Sequence, residues 1–119
     1  MTVEAAKVES VMIDCRDVDA LVPFWSEILG IEERVRYPGY VWLGRAVKGG
    51  PALAFQQVPE VKAVKNRVHL DLQHSDPEAF IARVEALGGK RLDDHEAGGF
   101  RWSVLADPEG NEFCITKSE

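Results

Sequence analysis

A chain of 119 residues is long enough to close one hydrophobic core and too short for two independent domains. Its 14 basic residues are scattered and outnumbered by 20 acidic ones, leaving a net charge of −6 and excluding the clustered basic face that nucleic-acid binding requires. No stretch is apolar over a membrane-spanning length, and Met1 to Lys7 lack a signal-peptide core, so no membrane partner and a cytoplasmic location are expected.

Residues 1–7 read as a short disordered leader, and Val8 to Cys15 as a strand. Asp19 is placed to cap a helix whose stripe is Leu21, Phe24, Trp25, Ile28 and Leu29, with Pro23 tolerated near the first turn and Gly30 as the stop. Three strands follow, Glu33–Tyr37, Tyr40–Arg45 and Ala52–Val58, separated by Pro38-Gly39 and by Lys48-Gly49-Gly50-Pro51. Pro59 to Lys65 is a charged connector.

The second half repeats this order. Arg67 to Gln73 alternates strictly, with Val68, Leu70 and Leu72 on a core face and Arg67, His69, Asp71 and Gln73 on the other. Asp76 then caps a helix with Pro77 in its first position, Phe80, Ile81, Val84 and Leu87 as the buried stripe, and Gly88-Gly89 as the stop. Lys90–Asp93, Phe100–Ala106 and Glu112–Thr116 read as strands, divided by Gly98-Gly99 and by Asp107-Pro108-Glu109-Gly110-Asn111. That last segment lacks the alternating oxygen donors of a calcium loop and reads as a turn. Helix-ending Gly30 and Gly88 lie about half a chain apart, so the fold class is α+β, a tandem βαβββ pair. The first module covers about residues 8–60 and the second about 66–117, within one domain spanning 1–119.

Phe24-Trp25 before Leu29-Gly30, Lys65 to Leu72, Leu87-Gly88-Gly89 and Asp107 to Phe113 together resemble the vicinal oxygen chelate superfamily, which includes glyoxalase I, extradiol dioxygenases and bleomycin-resistance proteins. The resemblance runs from about Val8 to Thr116 and implies curved sheets around a groove, a small-molecule ligand and a homodimer. Fold does not fix chemistry, so the site must be argued separately. In metal-dependent members each module supplies two ligands. The resemblance puts the second module's pair at His69 and Cys114, and the first module's at Ser10 or Met12 and within Phe55–Gln57, with Gln57 or Gln56 as donor.

Only His69 keeps the family's ligand type, so no cofactor is expected, and a divalent metal is the lesser alternative. His69 otherwise lines the groove, bonded to Asp71, Gln73 or a ligand. Cys114 is expected as a small buried hydrophobe and, with Cys15, as one of two reduced thiols. Glu112 shares its face and is a candidate acid or base if buried, although its place beside a turn favours exposure. Trp42, Trp102 and Tyr40 occupy comparable places in the two modules, as stacking surfaces or as core; Trp25 is core, and His74 and His95 fall in loops.

The ligand-binding set is therefore His69, Asp71, Gln57, Trp42, Trp102 and Cys114, with His69 and Glu112 as candidate catalytic groups. The reading that follows is a binder of a small aromatic or cationic molecule without a complete metal site. The alternative is a lyase or isomerase using His69 as ligand or base. Ordinary glyoxalase I chemistry is not expected, because it needs a metal ion to polarise the substrate oxygens.

Overall fold

The computed structural model describes residues 4–118, which form two compact units that divide between Pro59 and Glu60. In the first, strand β1 (Ser10–Cys15) leads into helix α1 (Val18–Leu29), followed by β2 (Glu33–Tyr37), β3 (Tyr40–Arg45) and β4 (Ala52–Gln57). In the second, β5 (Leu70–His74) precedes α2 (Pro77–Ala86), then β6 (Lys90–Ala97), β7 (Phe100–Ala106) and β8 (Glu112–Lys117). Both units are βαβββ modules with a four-stranded sheet, in the orders β1-β4-β3-β2 and β5-β8-β7-β6. Within each sheet the first strand pairs in parallel with the last and the remaining pairs are antiparallel. This is an α+β fold, as the element order of the sequence implies.

Each helix covers one sheet face. Val18, Leu21, Val22, Phe24 and Trp25 are buried on α1, which packs on β3 and β4. Phe80, Ile81 and Val84 do the same on α2 against β5, β6 and β8. Strand alternation supplies the other half of each core, with Val41, Leu43, Leu53 and Phe55 in one unit and Leu105, Phe113 and Ile115 in the other, all buried. The two cysteines are buried free thiols. No described helix is long and apolar enough to cross a membrane.

Several boundaries differ from the sequence expectation. The first helix is capped by Asp17, in extended backbone, whose side chain accepts from the Asp19 backbone N–H at 3.0 Å, while Asp19 lies in the first turn. Pro23 consequently sits two residues deeper than expected, and the hydrogen bond a nitrogen there would give to Asp19 is missing. Asp17→Ala should lower stability by about 1 kcal/mol, the usual worth of an N-cap, measurable by chemical denaturation. At the other end Gly30 adopts a φ of 65° and its N–H reaches the Ser26 carbonyl, the left-handed cap a glycine supplies without strain.

The second module's first strand is shorter than its alternation suggests. Pairing with β8 begins at Leu70 opposite Phe113, so Arg67, Val68 and His69 precede the ladder. Val68, expected in the core, is 78% exposed. The cause is the start of β8: with Glu112 as its first residue, β5 finds no partner further upstream. β6 is longer than expected and runs to Ala97, taking His95 out of a loop and into a strand. His74 likewise ends β5, where its Nδ1 accepts from the Asp76 N–H at 2.9 Å.

Candidate functional site

The second unit places its chemistry on the sheet face that alternates with Phe113 and Ile115. Asp71 lies directly across the parallel pair from Cys114, and His69 is two residues before Asp71. His69 Nε2 approaches Asp71 Oδ1 to 3.2 Å, with both side chains substantially exposed. Ligand atoms of His69, Asp71 and Cys114 all fall within 4.8 Å of one another. Burial first, and the negative charge of Asp71 second, push the Cys114 thiol above its ordinary range. Cys114 is thus a protonated thiol beside a carboxylate, which disfavours it as a free nucleophile.

Next to this trio runs an aromatic strip. Val104 pairs with Cys114, and two residues earlier Trp102 pairs with His95, their rings stacked at 5.2 Å and 20°. Phe100 adds a third ring 5.7 Å from Trp102 and is 57% exposed. The first unit repeats the pattern: Trp42 stacks on Tyr40 at 6.0 Å and meets Tyr37 edge-on at 6.1 Å. Both tryptophans are half-buried and lie outside the sets of buried side chains under α1 and α2. Trp25, in contrast, is core, packed edge-to-face on Phe24.

Glu112 is not the solvent-exposed residue that its position beside a turn suggested. Only 13% of its side chain is exposed. Its Oε1 accepts from the Asn66 N–H at 3.0 Å and pairs with Lys62 at 2.9 Å, and its Oε2 pairs with Lys65 at 3.2 Å. Its backbone carbonyl takes the Asn66 side-chain amide at 3.0 Å. Burial alone would raise the Glu112 carboxyl, but the Asn66 N–H and the two ammonium groups outweigh it and bring it down to about 2. A carboxylate this acidic and this fully engaged is a weak base. It fastens the 60–66 segment to the start of β8.

Register also corrects the expected donor of the first unit. Met12 faces Ala54 as Asp71 faces Cys114, so Ala54, without any donor atom, takes the place of Cys114. Gln57 pairs with Cys15 and alternates onto the face of Leu53 and Phe55. Gln56 shares the Ala54 face, and its amide donates to the Tyr40 hydroxyl at 3.3 Å. Of Ser10, Met12, Ala54 and Gln56 on that face, only Ser10 and Gln56 carry polar side chains and neither is a carboxylate or imidazole, so the first unit does not supply the pair of such donors that a hard-ion site of the family type would take from it.

Asp107, buried at 2% exposure, organises the turn before β8. Its Oδ1 accepts from the Glu109 and Asn111 N–H groups at 2.9 and 3.0 Å, and its Oδ2 from the Asn111 amide at 2.9 Å. The segment is a carboxylate-pinned turn, as its residues suggested.

Two βαβββ modules, each with a four-stranded mixed sheet, make up the vicinal oxygen chelate fold. The chain belongs to the glyoxalase-like domain family, whose model matches residues 10–116. No curated protein matches it. Among solved structures, it is similar to a glyoxalase/bleomycin resistance protein/dioxygenase family enzyme from Burkholderia phytofirmans PsJN, at 23% identity and a TM-score of 0.77 over 94% of this chain and 98% of that one. A glyoxalase-related enzyme from Fulvimarina pelagi is 20% identical, with a TM-score of 0.76 over 96% and 89% of the two chains. The fosfomycin resistance protein FosX from Listeria monocytogenes, as an E126Q mutant complexed with Mn(II) and 1S,2S-dihydroxypropylphosphonic acid, is 13% identical with a TM-score of 0.77 over 95% and 90%. At these identities the likeness is one of fold.

Proposed function

We propose that this glyoxalase-like protein binds a small, planar organic molecule on the polar and aromatic face of its second unit. The observation that carries the reading is the convergence there of an exposed imidazole–carboxylate pair, a buried thiol and a stacked indole. Planar rings of a ligand find a π surface in Trp102 and Phe100, and a cationic or hydrogen-bond-donating group finds Asp71. Among the described residues Asp71 pairs with no lysine or arginine, so its charge is open to a ligand. Trp42, with Tyr40 and Gln56, is the corresponding surface of the first unit; Gln57, on the alternate face of β4, is a weaker candidate than Gln56. A homodimer and a cytoplasmic location belong to the same reading, on the family resemblance and the composition of the chain.

A second reading rests on the His69–Asp71 pair itself. A carboxylate 3.2 Å from Nε2 orients the imidazole and leaves Nδ1 for a substrate proton, which suits a lyase or isomerase using His69 as base.

The test is His69→Ala, screened against planar cationic compounds by thermal shift and calorimetry. The domain should stay folded, because the His69 side chain is 49% exposed, and the affinity of any compound found should fall about tenfold, or roughly 1.4 kcal/mol. Unchanged affinity for every compound, with no turnover affected, would remove the site assignment. Loss of a measured turnover with affinity retained would favour the catalytic reading.

A further inference from the structure

The donors the family pattern calls for are missing from the first unit, yet the second unit adds one that the pattern does not use. Asp71 is that addition. Parallel pairing sets its carboxylate opposite the Cys114 thiol, and the two-residue step along the chain brings His69 Nε2 to 3.2 Å from its Oδ1. One nitrogen, one oxygen and one sulfur atom thus lie within 4.8 Å of one another, all supplied by one module.

We propose that His69, Asp71 and Cys114 form a three-donor site for a thiophilic divalent cation of the zinc class, contained within the second unit. Bonds of about 2.0–2.3 Å to nitrogen, oxygen and sulfur place the corners of a zinc tetrahedron roughly 3.5 Å apart. The observed separations, from 3.2 Å to within 4.8 Å, bracket that value, and the exposed His69 and Asp71 side chains are free to make the small adjustment. A thiolate with an imidazole selects zinc or cobalt over magnesium, manganese or calcium, which favour all-oxygen shells. Charge balances as well: the carboxylate and a thiolate offset the two positive charges of the ion, and the thiol proton leaves to solvent on binding. The fourth position is open to water or to a donor atom of an organic ligand. The site does not depend on the organic-ligand reading, because the metal alone tests it.

The experiment uses the full chain, purified without an affinity tag and stripped with chelator, titrated with cobalt(II) as a spectroscopic stand-in for zinc. The expected result is one equivalent bound, with a thiolate-to-cobalt charge-transfer band and the visible bands of four-coordinate cobalt. Zinc should displace it, and magnesium and manganese should not. Cys114→Ser should abolish the charge-transfer band, while Asp71→Asn and His69→Gln, at exposed positions that do not threaten folding, should each weaken binding by about tenfold or more. Absence of the band overturns the proposal. So does a band that survives Cys114→Ser and disappears in Cys15→Ser, a preference for manganese over zinc, or affinity unchanged in both the Asp71 and the His69 variants. Zinc binding with no organic compound ever found would leave the metal site standing and retire the organic-ligand reading; the reverse pattern would do the opposite.

Discussion

Glu112→Ala should destabilise the protein by about 2–3 kcal/mol, the largest effect expected from any single residue on the sheet face that carries the site. The carboxylate is nearly enclosed and receives one backbone N–H and two ammonium groups, so its removal leaves the Asn66 N–H and Lys62 without their partner. For a chain of this size the loss corresponds to a fall in melting temperature of roughly 10 °C. The exposed Lys65 contributes least, being screened by solvent.

The pH dependence follows in sign. Folding lowers the Glu112 carboxyl from 4.5 to about 2, so the unfolded chain takes up its proton first as the pH falls. The stabilisation is complete above about pH 4.5 and is lost as the pH drops toward 2. Glu112→Gln, which keeps an oxygen for the Asn66 N–H but no charge, should flatten the acid limb of a stability–pH curve between those values. A variant that melts like the parent while losing a measured activity would instead restore Glu112 as a catalytic acid or base.

This anchor also explains which parts of the site could be read from residues alone. Alternation through Val68, Leu70 and Leu72 is a sound strand signal, but a ladder needs a partner, and β8 starts at Glu112. The tie from Asn66 to Glu112 leaves Val68 outside the sheet and holds His69 at its threshold. β6 was harder to see for the opposite reason. Asp93, Asp94, His95 and Glu96 show no apolar alternation because every residue of this edge strand is exposed. The available signal was the Gly98-Gly99 turn, since a hairpin partner for Phe100–Ala106 must be of similar length.

Parallel pairing hides more than antiparallel pairing does. The resemblance pointed to His69 and Cys114 in the sequence, but the Asp71–Cys114 neighbourhood depends on the register between two strands joined by a helix and two further strands. The same register sets Ala54, just before the expected Phe55–Gln57 span, opposite Met12 as Cys114 stands opposite Asp71. What the spacing carries faithfully is the repetition of elements and of Trp42 and Trp102, because each tryptophan sits at the same step of its own hairpin.

That repetition sets the last test. Trp102→Ala should weaken a planar ligand by about 2 kcal/mol, roughly 30-fold, through lost stacking and apolar contact. Stability should change far less than affinity, since the indole is half-buried and its main neighbours are the His95 and Phe100 rings. Trp102→Phe should recover part of the affinity by keeping a π face. Trp42→Ala, removing the corresponding ring of the first unit, reports whether that unit's aromatic strip also touches the ligand. Calorimetric titration of the parent, these three variants and His69→Ala decides between the outcomes. An affinity that responds to His69→Ala and is indifferent to Trp102→Ala would confine the ligand to the row of Asp71 and Cys114. The aromatic strip would then be packing, and the planar character of the ligand would lose its support.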